Sequence, residues 1–232
     1  MITVAASDLF SADPAVRFAA STSSKQNRHV ADWPRGCRGA ANGWMMLLGP
    51  SPGRQDSDDD IWLGGPHRPQ DEAACIGPTA GVVRYETNKG RNRRWNMLSE
   101  AVFGRLDYAQ ALTSIMNLDW GHHPDSSKIP DAYLRDGCMV VYELMKESRP
   151  RVVVTLVRRT WDVFVPFLTT IVSPEPYRRA TQLGSVVVRL PNAGAATLVV
   201  RAPQHPSRHF FNAGHAELLR AETARFLLQY PP

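Results

Sequence analysis

His205, Asn117 and Ser51 are the side chains whose type and setting best suit them to chemistry in this chain. Each lies at or just past the end of an apolar run. The amide of Asn117 offers a donor and an acceptor together, so it can read the edge of a planar polar ligand. His205 opens the stretch His205-Pro206-Ser207-Arg208-His209, and its imidazole can donate to an oxygen on which negative charge develops. Ser51 is the centre of Gly49-Pro50-Ser51-Pro52-Gly53. Two glycines and two prolines make that loop rigid and open to close approach, with backbone N–H groups able to bind an anion. The Ser51 hydroxyl can orient a water molecule but is a poor base.

These residues need elements to hold them. Trp44-Met45-Met46-Leu47-Leu48 precedes the first loop, Leu112 to Asn117 ends in the amide, and Leu198-Val199-Val200-Arg201-Ala202-Pro203 precedes the last loop. Val152 to Leu156 is a continuous apolar run, the mark of a strand covered on both faces. Ser185 to Leu190 reads as a further strand, joined to Thr197–Ala202 through the turn-like Pro191-Asn192-Ala193-Gly194. Between them, helical spacing appears over 92–105 with Trp95, Leu98, Val102 and Leu106 in step. It appears again over 130–148 with Leu134, Cys138, Val141 and Met145, and over 213–229 with Ala216, Leu219, Thr223, Phe226 and Leu227. A short helix is expected from Trp161 to Leu168, interrupted at Pro166. Strand–helix alternation implies a mostly parallel sheet with helices on both sides. The expected fold class is α/β: a three-layer α/β/α domain with a central, mostly parallel four-stranded sheet. Ligands of such sheets bind outside the carboxyl ends of the strands, where all three motifs stand.

The chain of 232 residues suits one such domain, taken as 41–232, with 1–40 as a partly irregular extension. The net charge of +5 and a pI near 9.4 favour an anionic partner. Three scattered cysteines, Cys37, Cys75 and Cys138, give no C-x-x-C pair and point to reduced thiols in a cytosol. No apolar run approaches the length of a membrane helix. Asp8 and Asp13 interrupt the N-terminal region early, so no secretory signal is expected. The adjacent His122 and His123 suggest no metal, because neighbours rarely share an ion without further placed ligands. Residues 52 to about 86, rich in Gly, Pro and Asp, form a loop of a length that is usually functional.

The Gly-x-x-x-Gly loop after a strand, the strand ending in Asn117, the run Arg149-Pro150-Arg151-Val152-Val153-Val154, and His205-Pro206-Ser207 occur in that order over about 44–228. In order and spacing they resemble the uracil-DNA glycosylase superfamily. The resemblance implies hydrolysis of the bond between a deaminated base and its sugar in DNA, after the base has left the stack. It places His205 beside the base's O2 as a donor to the departing anion. It places Asn117 on the O4 and N3–H edge, and Gly49 at the base pocket. Trp62 becomes the aromatic face against which the base stacks. Ser51 takes the position that commonly carries Asp or Asn for the hydrolytic water. Pro52, Gly53 and Ser207 become DNA contacts, with Arg208 on a phosphate and Phe210 as the wedge that fills the gap left by the base. Phe210 and Phe211 can equally pack under the last helix. Arg91, Arg93 and Arg94, with Arg158, Arg159, Arg178 and Arg179, can touch the DNA backbone or simply form a solvated face.

The resemblance implies no metal or organic cofactor, and three cysteines cannot supply the four ligands of an iron–sulfur cluster. It implies DNA as the partner, a monomer, no membrane, and a cytoplasmic location, beside the nucleoid if bacterial. Ser51 favours a second reading, a non-catalytic nucleic-acid or base-binding protein on the same fold. A third is an unrelated doubly wound enzyme whose Gly49–Gly53 loop holds a nucleotide phosphate.

Overall fold

A computed structural model describes residues 37–39, 44–51, 94, 97–98, 100–102, 113–119, 126–206 and 208–232. The chain forms an open, mixed α/β sheet with helices packed on both faces. Strands β1 (Cys37–Gly39), β2 (Met45–Gly49), β3 (Thr113–Asn117), β4 (Val152–Thr155), β5 (Pro174–Glu175), β6 (Ser185–Val188) and β7 (Thr197–Arg201) lie in the order β1-β3-β2-β4-β7-β6-β5. The four-stranded expectation is therefore too small. The inner strands β3, β2, β4 and β7 are mutually parallel, but β1 joins β3, β6 joins β7 and β5 joins β6 antiparallel. β1 comes from the stretch read as an extension. β1 and β5 are only three and two residues long, too short for any hydrophobic period.

The inner strands are apolar on both faces, as parallel strands between helix layers must be. Met46, Leu48, Val153 and Val199 face one core with Leu134, Cys138 and Val141 of α1 (Asp131–Ser148) and Phe164 and Leu168 of α2 (Arg158–Ile171). Their sequence neighbours Met45, Leu47, Val152, Val154, Leu198 and Val200 face the other. There they meet the helical residues Leu98, Ala101 and Val102, and Ala216, Leu219 and Phe226 of α3 (Ala213–Gln229). α2 runs through Pro166 rather than breaking there. Pro166 and Asp162, whose carbonyl loses its helical partner, are both exposed. Water can therefore satisfy that carbonyl, and the helix survives the substitution. Among the described residues no helix is long and apolar enough to cross a membrane.

Chain order and sheet order reverse between β2 and β4. β3 is laid to one side of β2, while β4 and β7 continue on the other. That is the switch point at which an open α/β sheet leaves a crevice at its carboxyl edge. The opposite edge is structural. There the buried Arg151 donates to Ala196 O and Tyr230 O, both at 2.6 Å, with its guanidinium 4.9 Å from the centre of the Phe226 ring.

Glu222 of α3 is fully buried, yet its carboxylate is well supplied with donors. It accepts from Ala180 N at 3.0 Å, Thr181 N at 2.9 Å, Thr181 Oγ1 at 3.0 Å and Ser185 Oγ at 2.6 Å. The segment leading into β6 is thereby tied to α3. Burial, with Glu222 nearby, raises the Tyr177 phenol above its ordinary value. Glu222→Ala leaves these donors unmet and is expected to cost about 3–5 kcal/mol. Glu222→Gln, which keeps one acceptor, should cost less. Denaturant unfolding of both variants checks this; equal, small losses would show that the carboxylate holds nothing.

Candidate functional site

The carboxyl ends of the four parallel strands are stitched together beyond the strands themselves. Leu118 N donates to Gly49 O at 3.0 Å and Asp119 N to Pro50 O at 2.9 Å. Leu156 N donates to Leu48 O at 2.8 Å and Ala202 N to Thr155 O at 2.9 Å. The loops after β2, β3, β4 and β7 thus share one edge. With strands about 4.8 Å apart, β2 and β7 stand about 10 Å from each other across β4.

Gly49 and Asn117 are paired residues in the parallel ladder. A Cβ at Gly49 would lie 2.5 Å from the Asn117 amide oxygen. The glycine is required here because the neighbouring amide occupies the space of its side chain. Asn117 itself is only 6% exposed. On its other side, α1 passes so close that a Cβ at Gly137 would lie 1.6 Å from the Leu118 carbonyl oxygen. Asn117 is thus packed against Gly49, and the next residue, Leu118, is packed through its backbone against Gly137 of α1. Ser51 follows at the mouth, half-buried, and Asp119 is fully buried two residues beyond Asn117.

A separate cleft of about 370 Å³ opens at the ends of β4 and β7. Leu156, Val157 and Arg158 form one side of it, and Arg201, His205 and Arg208 the other. His205 is half-buried, and its carbonyl accepts from Arg208 N at 2.8 Å, closing a turn. A second turn follows, with Phe211 N donating to Arg208 O at 3.2 Å. Pro206 is buried and its carbonyl accepts from Arg94 Nε at 2.8 Å. Arg94, read from sequence as a DNA-backbone contact or a solvated charge, is helical and latches this loop.

Phe210 and Phe211 take opposite roles. Phe211 is 3% exposed and lies under α3, near His215. Phe210 is 62% exposed, its ring 3.8 Å from that of His209 at the tip of the loop. Asn212 then caps α3, accepting from His215 N at 3.1 Å. Arg158 and Arg159 also part. Arg159 bonds Asp131 at 2.7 Å and the Ile129 carbonyl, holding the start of α1. That guanidinium keeps the Asp131 carboxyl below its usual value. Arg158 pairs with Asp162 on the surface at 3.3 Å.

The structure brings Gly49, Asn117 and Ser51 to one end of the sheet edge, and His205 and Arg208 into the adjoining cleft. Gly49, Asn117 and Ser51 do not line that cleft. Trp62, Pro52, Gly53 and Ser207 lie outside the described residues. Sequence reasoning missed Arg201 and Gly137, and gave Arg94 a different role. Only Arg201 left a signal: a charged residue closing an otherwise apolar buried strand. Burial pushes the Cys138 thiol up to about 12, so it stays protonated and unreactive. Among the described residues no three His, Cys, Asp or Glu side chains gather to hold a metal ion.

No protein-family model and no curated protein matches this chain.

Proposed function

We propose that the chain is a divergent member of the uracil-DNA glycosylase superfamily. In this reading it is a monofunctional enzyme that hydrolyses the bond between uracil, or a related deaminated base, and its deoxyribose in DNA. The observation that carries the reading is the meeting, at one sheet edge, of the Gly49–Ser51 loop, the Asn117 amide and the His205 turn, from distant parts of the chain. Asn117, immobilised against Gly49, selects the base edge, since a fixed amide discriminates where a mobile one would not. His205 donates to the base as it leaves with negative charge, and electrostatic stabilisation of this kind is worth most when the donor is already in place. Ser51 orients the attacking water. Arg208 meets the DNA backbone, and the projecting Phe210 occupies the stack behind the extruded base. The reaction as read needs no metal or organic cofactor.

Ser51 supports the second reading, a protein on the same fold that binds nucleic acid or a base without cleaving. A serine cannot supply the charge of a carboxylate beside an oxocarbenium-like sugar. One assay decides between them: a labelled oligonucleotide with a single uracil is incubated with the chain, then treated with alkali to reveal strand scission. If Ser51 positions water, Ser51→Ala slows single-turnover cleavage and Ser51→Asp accelerates it. If the serine only forms the turn, Ser51→Ala costs little and Ser51→Asp gains nothing. Binding to uracil-containing DNA without scission, by the parent and both variants, makes the second reading the better one.

A further inference from the structure

The cleft at the ends of β4 and β7 carries positive charge that no acidic side chain among the described residues lining it balances. Arg201 and Arg208 both line it, and neither guanidinium has a hydrogen bond or carboxylate partner among the described residues. For the exposed Arg208, water suffices. Arg201 is different: it is the last residue of a buried strand, half enclosed, with its backbone N–H fixed to Gly184 O at 2.8 Å. Its guanidinium is accessible from the cleft, anchored at the end of a strand, and its N–H donors are placed to meet the oxygens of an anionic ligand. Arg158, on the facing wall, is already offset by Asp162. The first turn of α2 beside it holds no acidic residue to oppose the field, although the two unpaired guanidiniums carry the argument.

We propose that this cleft binds a phosphate dianion, the phosphomonoester of a nucleotide or of a nucleic-acid strand end, with Arg201 on the inner wall and Arg208 at the rim. Two uncompensated guanidiniums match two negative charges; an internal phosphodiester brings one. Each planar guanidinium presents a fork of N–H donors that fits a pair of phosphate oxygens. A volume of about 370 Å³ is ample for a phosphate and its attached sugar. The inference goes beyond base excision and does not depend on it: the groups read as selecting the base lie at the ends of β2 and β3, and only His205 and Arg208 belong to both readings.

Isothermal titration of the full chain tests this with uridine 5′-monophosphate, inorganic phosphate, dimethyl phosphate, and one oligodeoxynucleotide with and without a 5′-phosphate. The two ligands able to carry a second negative charge, uridine monophosphate and inorganic phosphate, should bind saturably and more tightly as pH rises through their second ionisation, and dimethyl phosphate about tenfold more weakly or worse. Arg201→Gln and Arg208→Gln should each weaken the monoester about tenfold or more, the size expected for one charge-assisted contact. Arg220→Gln, on the surface of α3 and paired with Glu217, should leave it unchanged. Tighter binding of the 5′-phosphorylated oligonucleotide than of its unphosphorylated twin assigns the ligand to a strand end; equal binding of the two assigns it to the free nucleotide. Equal affinity for monoester and diester, or a folded Arg208→Gln chain with parental affinity, overturns the proposal. Should Arg201→Gln fail to fold, those two comparisons still decide. Absence of uracil excision bears on the previous reading and leaves this result intact.

Discussion

Replacing His205 by alanine is expected to slow uracil excision about a hundredfold while leaving the fold intact. Loss of one fixed donor to a developing anion costs on the order of 3 kcal/mol in comparable sites. The fold should survive because the turn is closed by the His205 carbonyl, which accepts from Arg208 N at 2.8 Å. Alanine retains that carbonyl. The loop is further held by the buried Pro206 and by Arg94 Nε on its carbonyl. These backbone contacts of the loop are retained when the imidazole is removed. Single-turnover rates on a uracil oligonucleotide, with affinity measured separately on an uncleaved analogue, distinguish two roles. A slower rate at unchanged affinity makes His205 a group that acts in the transition state. A folded variant with a near-parental rate removes it from the mechanism. Loss of affinity with no cleavage by the parent belongs to the non-catalytic reading. His209→Ala serves as the control, because His209 lies exposed at the loop tip beside Phe210.

Much of this architecture was legible because burial on both faces leaves an unbroken apolar run. Met45–Leu48, Val152–Val154 and Leu198–Val200 could be read as inner strands for that reason, and the abrupt turn residues after them marked the carboxyl edge. What escaped was fixed by distant partners. β5 is two residues that pair only because β6 lies beside them, and β1 owes its conformation to β3. Pro166 reads locally as a helix breaker, yet the helix passes through it because the orphaned carbonyl faces water. Phe210 and Phe211 are adjacent and chemically identical; their division into an exposed tip and a buried anchor comes from the turn geometry of 205–211. Arg94 shows no sequence link to Pro206, more than a hundred residues away. Of the site itself, Gly49, Ser51, Asn117, His205 and Arg208 were chosen from sequence and share the edge, while Arg201 and Gly137 became visible only through the cleft and the helix packing.

Gly137→Ala is expected to destabilise the chain although it replaces a glycine inside a helix. Glycine inside a helix ordinarily costs about 1 kcal/mol against alanine, so Gly137→Ala would by itself stabilise α1. The packing reverses the sign. The new Cβ would lie 1.6 Å from the Leu118 oxygen, 2.5 Å from its carbonyl carbon and 2.9 Å from its Cα. All three are backbone atoms, so no rotamer change relieves the overlap. The loop must retreat by about 1.5–2 Å to restore ordinary contact. Forced overpacking of this kind costs about 1–3 kcal/mol or more, which in a chain of this size lowers Tm by roughly 4–8 °C for a net 2 kcal/mol. Arg135→Ala, exposed on the same helix, should change stability by about 0.5 kcal/mol at most. The retreat also carries Asn117, one residue before Leu118, away from Gly49. Gly49→Ala makes the complementary perturbation, since its Cβ meets only the Asn117 side chain at under 3 Å and leaves Leu118 in place. Gly49→Ala should thus alter discrimination between uracil and cytosine with a small loss of stability, and Gly137→Ala should do both. In an Asn117→Ala background the effect of either glycine on discrimination should vanish, while the stability loss from Gly137→Ala should remain. A Gly137→Ala chain with parental Tm would mean that helix and loop are not in backbone contact. Undiminished discrimination in both glycine variants would mean that the Asn117 amide does not choose the base.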